Sequence, residues 1–209
     1  MTAFKKNKLL MMLVIIFMLL NNSIIYAFDL EGKISKNVYI GEIDVSDLTI
    51  EEATKKVNLY IEENRYFNLI YNDKKIKIDK NTFDLDYKIP QLAQNAYNVG
   101  RDKDIITNIK TKVSLKRGNK EIIPIVSYYN ISKIDELIKQ LNEQFYISPV
   151  NATAEVINDK VAVTKGSYGQ NINKQQLKSI IIYKIDNLNS KDSEIPITVL
   201  KPKYTSKQL

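Results

Sequence analysis

The chain has 209 residues, with 31 Lys+Arg against 24 Asp+Glu, a formal net charge of +7, and no Cys, His or Trp. Without Cys there can be no disulfide or thiol nucleophile, and without His the commonest base and zinc ligand are missing as well. The positive balance is mild and mostly Lys, with no dense basic stripe. That argues against nucleic acid and fits either an anionic envelope polymer or a solvated lysine surface.

The first 27 residues read as a targeting segment. Lys5, Lys6 and Lys8 precede an apolar run from Leu9 to Leu20, and Ile25-Tyr26-Ala27 ends in a small residue suited to cleavage. The same stretch, taken to Phe28, has about the length a bilayer core needs, so an uncleaved N-terminal anchor helix is the alternative. In both cases the remainder lies outside the cytoplasm, membrane-anchored or secreted to the cell wall, because positive residues stay inside.

After a linker at 28–37, Val38 to Ile43 reads as a strand. Thr49 with Glu52 three residues on forms a capping box for a helix that places Ile50, Ala53, Val57 and Ile61 on one face. Asn72-Asp73 then marks a two-residue hairpin turn, followed by Ile76 and Ile78 in alternation. A helix is expected over 89–99, with Gly100 as its left-handed stop, and a further helix over 102–116.

The second half echoes this order. Ile76, Ile78, Phe83 and Leu92 align with Val161, Val163, Tyr168 and Leu177 at one constant offset, and Asn158-Asp159 repeats the turn chemistry. Upstream, Ser132 with Asp135 is the counterpart of Thr49 and Glu52, opening a helix that carries Ile134, Leu137, Ile138, Leu141 and Phe145. Asn173 is the expected cap of a last helix over 174–188. A third such start is faintly visible at 193–209: either the strand at 194–200 closes the second unit, or a further unit or domain is expected where the chain ends.

The expected fold is α+β: two related strand–helix–hairpin–helix units, each a small mixed sheet packed with helices. The first occupies 38–118, the second 119–202, with a C-terminal tail at 203–209.

Catalytic chemistry is poorly served. The adjacent carboxylates Glu51/Glu52, Asp84/Asp86 and Asp135/Glu136 could serve a glycan hydrolase only if two faced each other across a cleft. For Glu51 and Glu52 the bland reading is a first helical turn, where acids complement the dipole. Asp84-Leu85-Asp86 lacks the spacing of a calcium loop. No residue receives a catalytic or metal-binding role, and no cofactor is expected.

Two stretches remain as ligand candidates. Gly166-Ser167-Tyr168-Gly169-Gln170-Asn171 offers an aromatic ring and amides, the groups that bind sugars; alternatively Tyr168 packs inward as Phe83 does. Tyr97 with Arg101 is the second, with Arg101 able to hold a carboxylate or phosphate, pair with Asp102, or cap the preceding helix. The candidate ligand residues are therefore Tyr97, Arg101, Tyr168 and Gln170.

"VYIGEIDVSDLTIEEA" at 38–53, "FDLDYKIPQLAQNAYNVGRDKDIITNI" at 83–109 with its Ala96 to Arg101 core, and "PVNATAEVINDKVAVTKGSYGQNINKQQL" at 149–177 resemble exported Gram-positive proteins of the VanW and YoaR type. The resemblance covers roughly residues 37–205. It implies a peptidoglycan-binding region of the kind that stands before a VanW or L,D-transpeptidase domain. Neither of those domains follows here, and the transpeptidase Cys and His are absent. The expectation is a non-catalytic envelope module that binds peptidoglycan or another anionic wall polymer. The alternatives are a structural or protein-interaction module that positions an envelope enzyme, or a truncated remnant of a VanW-type or transpeptidase protein.

Overall fold

The computed structural model describes residues 32–208; the expected targeting segment at 1–27 and part of the linker lie outside them. Among the described residues the architecture is α+β, with five α-helices and small sheets. Among the described residues no helix is long and apolar enough to cross a membrane.

Strands β1 (Val38–Ile40), β2 (Ile43–Asp44) and β5 (Glu121–Ile123) form the first sheet. β1 runs antiparallel to β2 and parallel to β5, with Tyr39 opposite Ile122. Helix α1 (Ile50–Glu63) starts at Thr49, whose hydroxyl accepts from the Glu52 amide while the Glu52 carboxylate accepts from the Thr49 amide; this is the expected capping box. Its buried face, Ala53, Val57 and Ile61, meets Val38, Ile40 and Val45 and the buried Leu92, Ala93 and Ala96 of α2 (Ile89–Asn98). α2 has no side-chain cap but carries Pro90 in its first turn, where no amide bond is lost. Leu115, from α3 (Ile105–Lys116), completes this first core.

The second core gathers around β3 (Tyr66–Tyr71) and β4 (Lys74–Asp79), a hairpin turned by Asn72 and Asp73, both at positive φ. β3 also runs parallel to β9 (Ser193–Glu194). Phe67, Leu69 and Ile78 point into a cluster with Phe83, with Ile134, Ile138 and Leu141 of α4 (Ile131–Phe145), and with Leu177, Ile181 and Ile185 of α5 (Lys174–Asp186). This core therefore draws on residues from before and after position 118. α5 is capped by Asn173 as expected, whereas α4 is capped by Asn130 rather than Ser132. Asn130 is extended and its side chain accepts from the Ser132 amide; Asn caps as well as Ser, so the helix gains its first residues.

A second hairpin, β6 (Thr153–Ile157) and β7 (Lys160–Thr164), is turned by Asn158 and Asp159, again at positive φ. All ten of its strand residues are exposed. Its register continues downward without a slip: Val150 pairs with Ser167 and Ile147 with Gln170. Residues 147–170 thus form one long ribbon. Its base joins the core through β8 (Gly169–Ile172), which pairs with β10 (Ile197–Leu200).

Candidate functional site

Tyr97 and Arg101 stand at the end of α2. Gly100, at φ +75°, turns the chain so that Arg101 folds back on the helix. The Arg101 guanidinium donates to the Tyr97 carbonyl at 2.5 Å and to the Lys33 carbonyl at 2.7 Å, and lies 4.3 Å from the centre of the Tyr97 ring. Helix capping, one of the three roles open to Arg101, is seen. It also ties the segment before β1 to the end of α2.

Tyr168 and Gln170 belong to the base of the ribbon. Tyr168 is 59% exposed, unlike the fully buried Phe83, so it does not pack inward. Gln170 faces the other way: its amide nitrogen donates to the Tyr71 hydroxyl and to the Phe145 carbonyl, and its backbone pairs with Ile147. Tyr71 and Phe145 themselves stack, with ring centres 4.2 Å apart. Gly169 has a structural reason to be glycine, since an added Cβ would come within 2.2 Å of the Ile147 carbonyl oxygen. Tyr97 and Arg101 attach to the first core, Gln170 to the second, and the structure does not merge the two pairs into one site.

Lysines occupy three of the six acids singled out in the sequence. Asp84 accepts from Lys133 at 2.6 Å and from Asn130, and Asp86 pairs with Lys88; these bonds hold both carboxyls below the usual range. Asp135 pairs with Lys178 at 2.6 Å. An acid held that low stays ionised at neutral pH and makes a poor proton donor. Among the described residues no group of three or more Asp and Glu could hold a metal ion.

Two depressions were not foreseen. The first, of about 520 Å³, is lined by Ile125, Val126, Ser127, Tyr128, Tyr129 and Asp186. It lies where the chain passes from one core to the other, for Ile125 packs on the first and Tyr129 on the second. The Ser127 hydroxyl donates to Asp186, the last residue of α5. Close by is Tyr87, buried with no hydrogen-bond partner for its hydroxyl. Burial, then the Asp186 charge, pushes the Tyr87 phenol up to about 12, and the same two causes raise Tyr129. The second depression, of about 400 Å³, runs along α5 past Gln176, Ser179, Tyr183, Asn189 and Asp192. Asp192 is held there by Asn68 and Lys75, both at 2.7 Å. The doublet Tyr128-Tyr129 was the only trace of the first site visible in the sequence; Asp186 reads there as an ordinary helix-end acid.

A family model described as "Putative peptidoglycan binding domain" matches residues 76–194, which contain both depressions and all four candidate ligand residues. No curated protein and no solved structure matches the chain.

Proposed function

The chain belongs to the peptidoglycan-binding family that matches more than half of its length, and from that premise we propose that it is a non-catalytic module of the cell envelope that contacts peptidoglycan. The family match carries this reading. The lysine-rich charge and the N-terminal apolar run support an extracytoplasmic place, anchored or secreted, and the VanW and YoaR resemblance points the same way. Exposed Tyr168, beside Gln170, supplies a ring for a sugar face, while Arg101 stacked on Tyr97 offers a separate candidate contact. We read the shared turn chemistry and constant offset of the two halves as the trace of an ancient duplication.

The test is co-sedimentation of the full chain with purified sacculi at moderate salt. Saturable binding that chitin does not reproduce is expected; a chain that stays in the supernatant at all sacculus concentrations overturns the proposal.

A second reading, a module that positions an envelope enzyme, draws on the uncovered β6–β7 hairpin. Specific capture of one envelope protein, abolished by removing residues 153–164 and unaccompanied by sacculus binding, would favour it.

A further inference from the structure

We propose that the depression lined by Ser127, Tyr128, Tyr129 and Asp186 is a subsite for a primary alkylammonium group, the free side-chain amine of a diamino acid in a peptidoglycan stem peptide. The identity of the amine's carrier rests on the peptidoglycan reading above; the ammonium chemistry does not.

Four observations converge. Asp186 has a neutral partner only: among the described residues its one hydrogen bond comes from the Ser127 hydroxyl, and it joins no ion pair, although the chain has a surplus of lysines. Asp84, Asp86, Asp135 and Asp192 have each found a lysine. Asp186 also sits at the wrong end of its helix. The C-terminus of α5 carries the negative pole, which disfavours an acid and favours a cation. The only basic residue in that last turn, Lys184, is buried and spends its amine on the Lys191 carbonyl.

The third observation is aromatic. Tyr128 and Tyr129 line the depression, and ring faces attract an ammonium, most strongly where water is partly excluded. The Tyr87 hydroxyl, without a hydrogen-bond partner among the described residues, feels the same Asp186 charge, so the carboxylate's field reaches into this part of the fold. Lys88, which feels Tyr128, is paired with Asp86. Fourth, Ile125 and Val126 form an apolar wall, on which a methylene stem can lie while its charged end meets Asp186. A neutral sugar would satisfy the rings and Ser127 but leave the carboxylate without a counter-charge.

The experiment uses the full chain and sacculi stripped of anionic wall polymers, so that stem peptides carry the remaining amines. Native sacculi are compared with sacculi whose amines have been acetylated, for wild type, Asp186→Asn and Tyr128→Ala. Both side chains are exposed, so a thermal melt should show each variant folded. Acetylation is expected to weaken wild-type binding about tenfold, and Asp186→Asn to do the same without further loss on acetylated sacculi. In parallel, Nα-acetyl-lysine methylamide should shift the amide resonances of residues 125–129 and 186, and its Nε-acetylated form should not.

Sacculus binding that ignores both acetylation and Asp186→Asn, with no shift from the lysine probe, overturns the subsite and leaves the peptidoglycan reading standing. Probe shifts without any sacculus binding overturn the peptidoglycan reading and leave an ammonium site.

Discussion

The two hairpins are built on the same local code and end in opposite environments. Each turns on Asn-Asp with both residues at positive φ, and each continues into a strand of alternating aliphatic residues. In β3–β4, Phe67, Leu69 and Ile78 disappear into the second core. In β6–β7, the face that presents Ala154, Val156, Val161 and Val163 is uncovered, with Val156 and Val161 at 74% and 68% exposure. The turn code makes a hairpin; it does not say where the hairpin goes. β3–β4 is held by a third strand, β9, and by two helices, whereas β6–β7 is a lone two-stranded ribbon, an arrangement that is marginal in water unless its base is fixed.

The largest test of this contrast is a truncation in each hairpin. Phe67→Ala should destabilise the protein by about 3–5 kcal/mol, because it opens a cavity in a closed core. Val156→Ala should cost no more than about 0.5 kcal/mol, since the side chain already faces solvent. Urea unfolding midpoints measure both. Equal losses would break the comparison.

Lysine burial sharpens it. Lys80 follows β4 and is 1% exposed, its amine donating to the Asn64 carbonyl at 2.7 Å. Burial, then the Lys184 charge, lowers its pKa to about 8. The folded chain therefore releases this proton before the unfolded chain does, and stability rises with pH between about 8 and 10. Above that window the raised Tyr87 works in the opposite sense, because the folded state keeps a phenolic proton that the unfolded state loses. The gain expected from Lys80 is roughly 2–3 kcal/mol, and Lys80→Met should remove it. Lys165, at the matching place after β7, is exposed. Melting temperatures across that pH range decide the matter.

The base of the ribbon ought to behave like core although the tip does not. Gly169→Ala drives a methyl against the Ile147 carbonyl and the Pro149 ring, and both contacts are too close to relax without moving backbone. A cost of about 1–3 kcal/mol is expected in unfolding experiments. Next comes the Arg65–Asp79 pair, which joins the start of β3–β4 to its end with contacts of 2.8 and 2.5 Å. The Arg65 hydrogen bond holds the Asp79 carboxyl below its usual value. Its stabilisation is thus present above about pH 4 and disappears as the pH falls through the lowered folded value. Asp79→Asn should flatten that acid limb at a neutral-pH cost of about 1 kcal/mol, discounted for partial exposure.

What could be read from the residues was what neighbours in sequence decide. Thr49 with Glu52, Asn173 and the two Asn-Asp turns are short-range devices, and all four formed as expected. The cap at Asn130 was missed because Ser132 offered an equally good local pattern two positions later. The fate of β6–β7 could not be read, because it depends on whether distant strands and helices arrive to cover it. The Asp186 depression was hidden for the same reason: its carboxylate and its serine are 59 residues apart. In Gln170, the amide that looked ready for a ligand is engaged with Tyr71 and Phe145.

The smallest expected effect is the most direct probe of the exposed face. Val156 and Val161 stand opposite each other on β6 and β7. Replacing both with Thr keeps the branched Cβ that suits a strand and trades one methyl for a hydroxyl at each position. If the face is open to water, that hydroxyl stays hydrated and the melting temperature should move by an amount equivalent to no more than about 0.5 kcal/mol. The counterparts Leu69 and Ile76 also face each other, on β3 and β4, but Leu69 is wholly buried; Leu69→Thr places a hydroxyl where no water can reach it and should cost several times more. A loss above about 1.5 kcal/mol for the Val pair would mean that the ribbon's apolar face is covered in solution, and the two hairpins would then differ in what covers them rather than in whether they are covered.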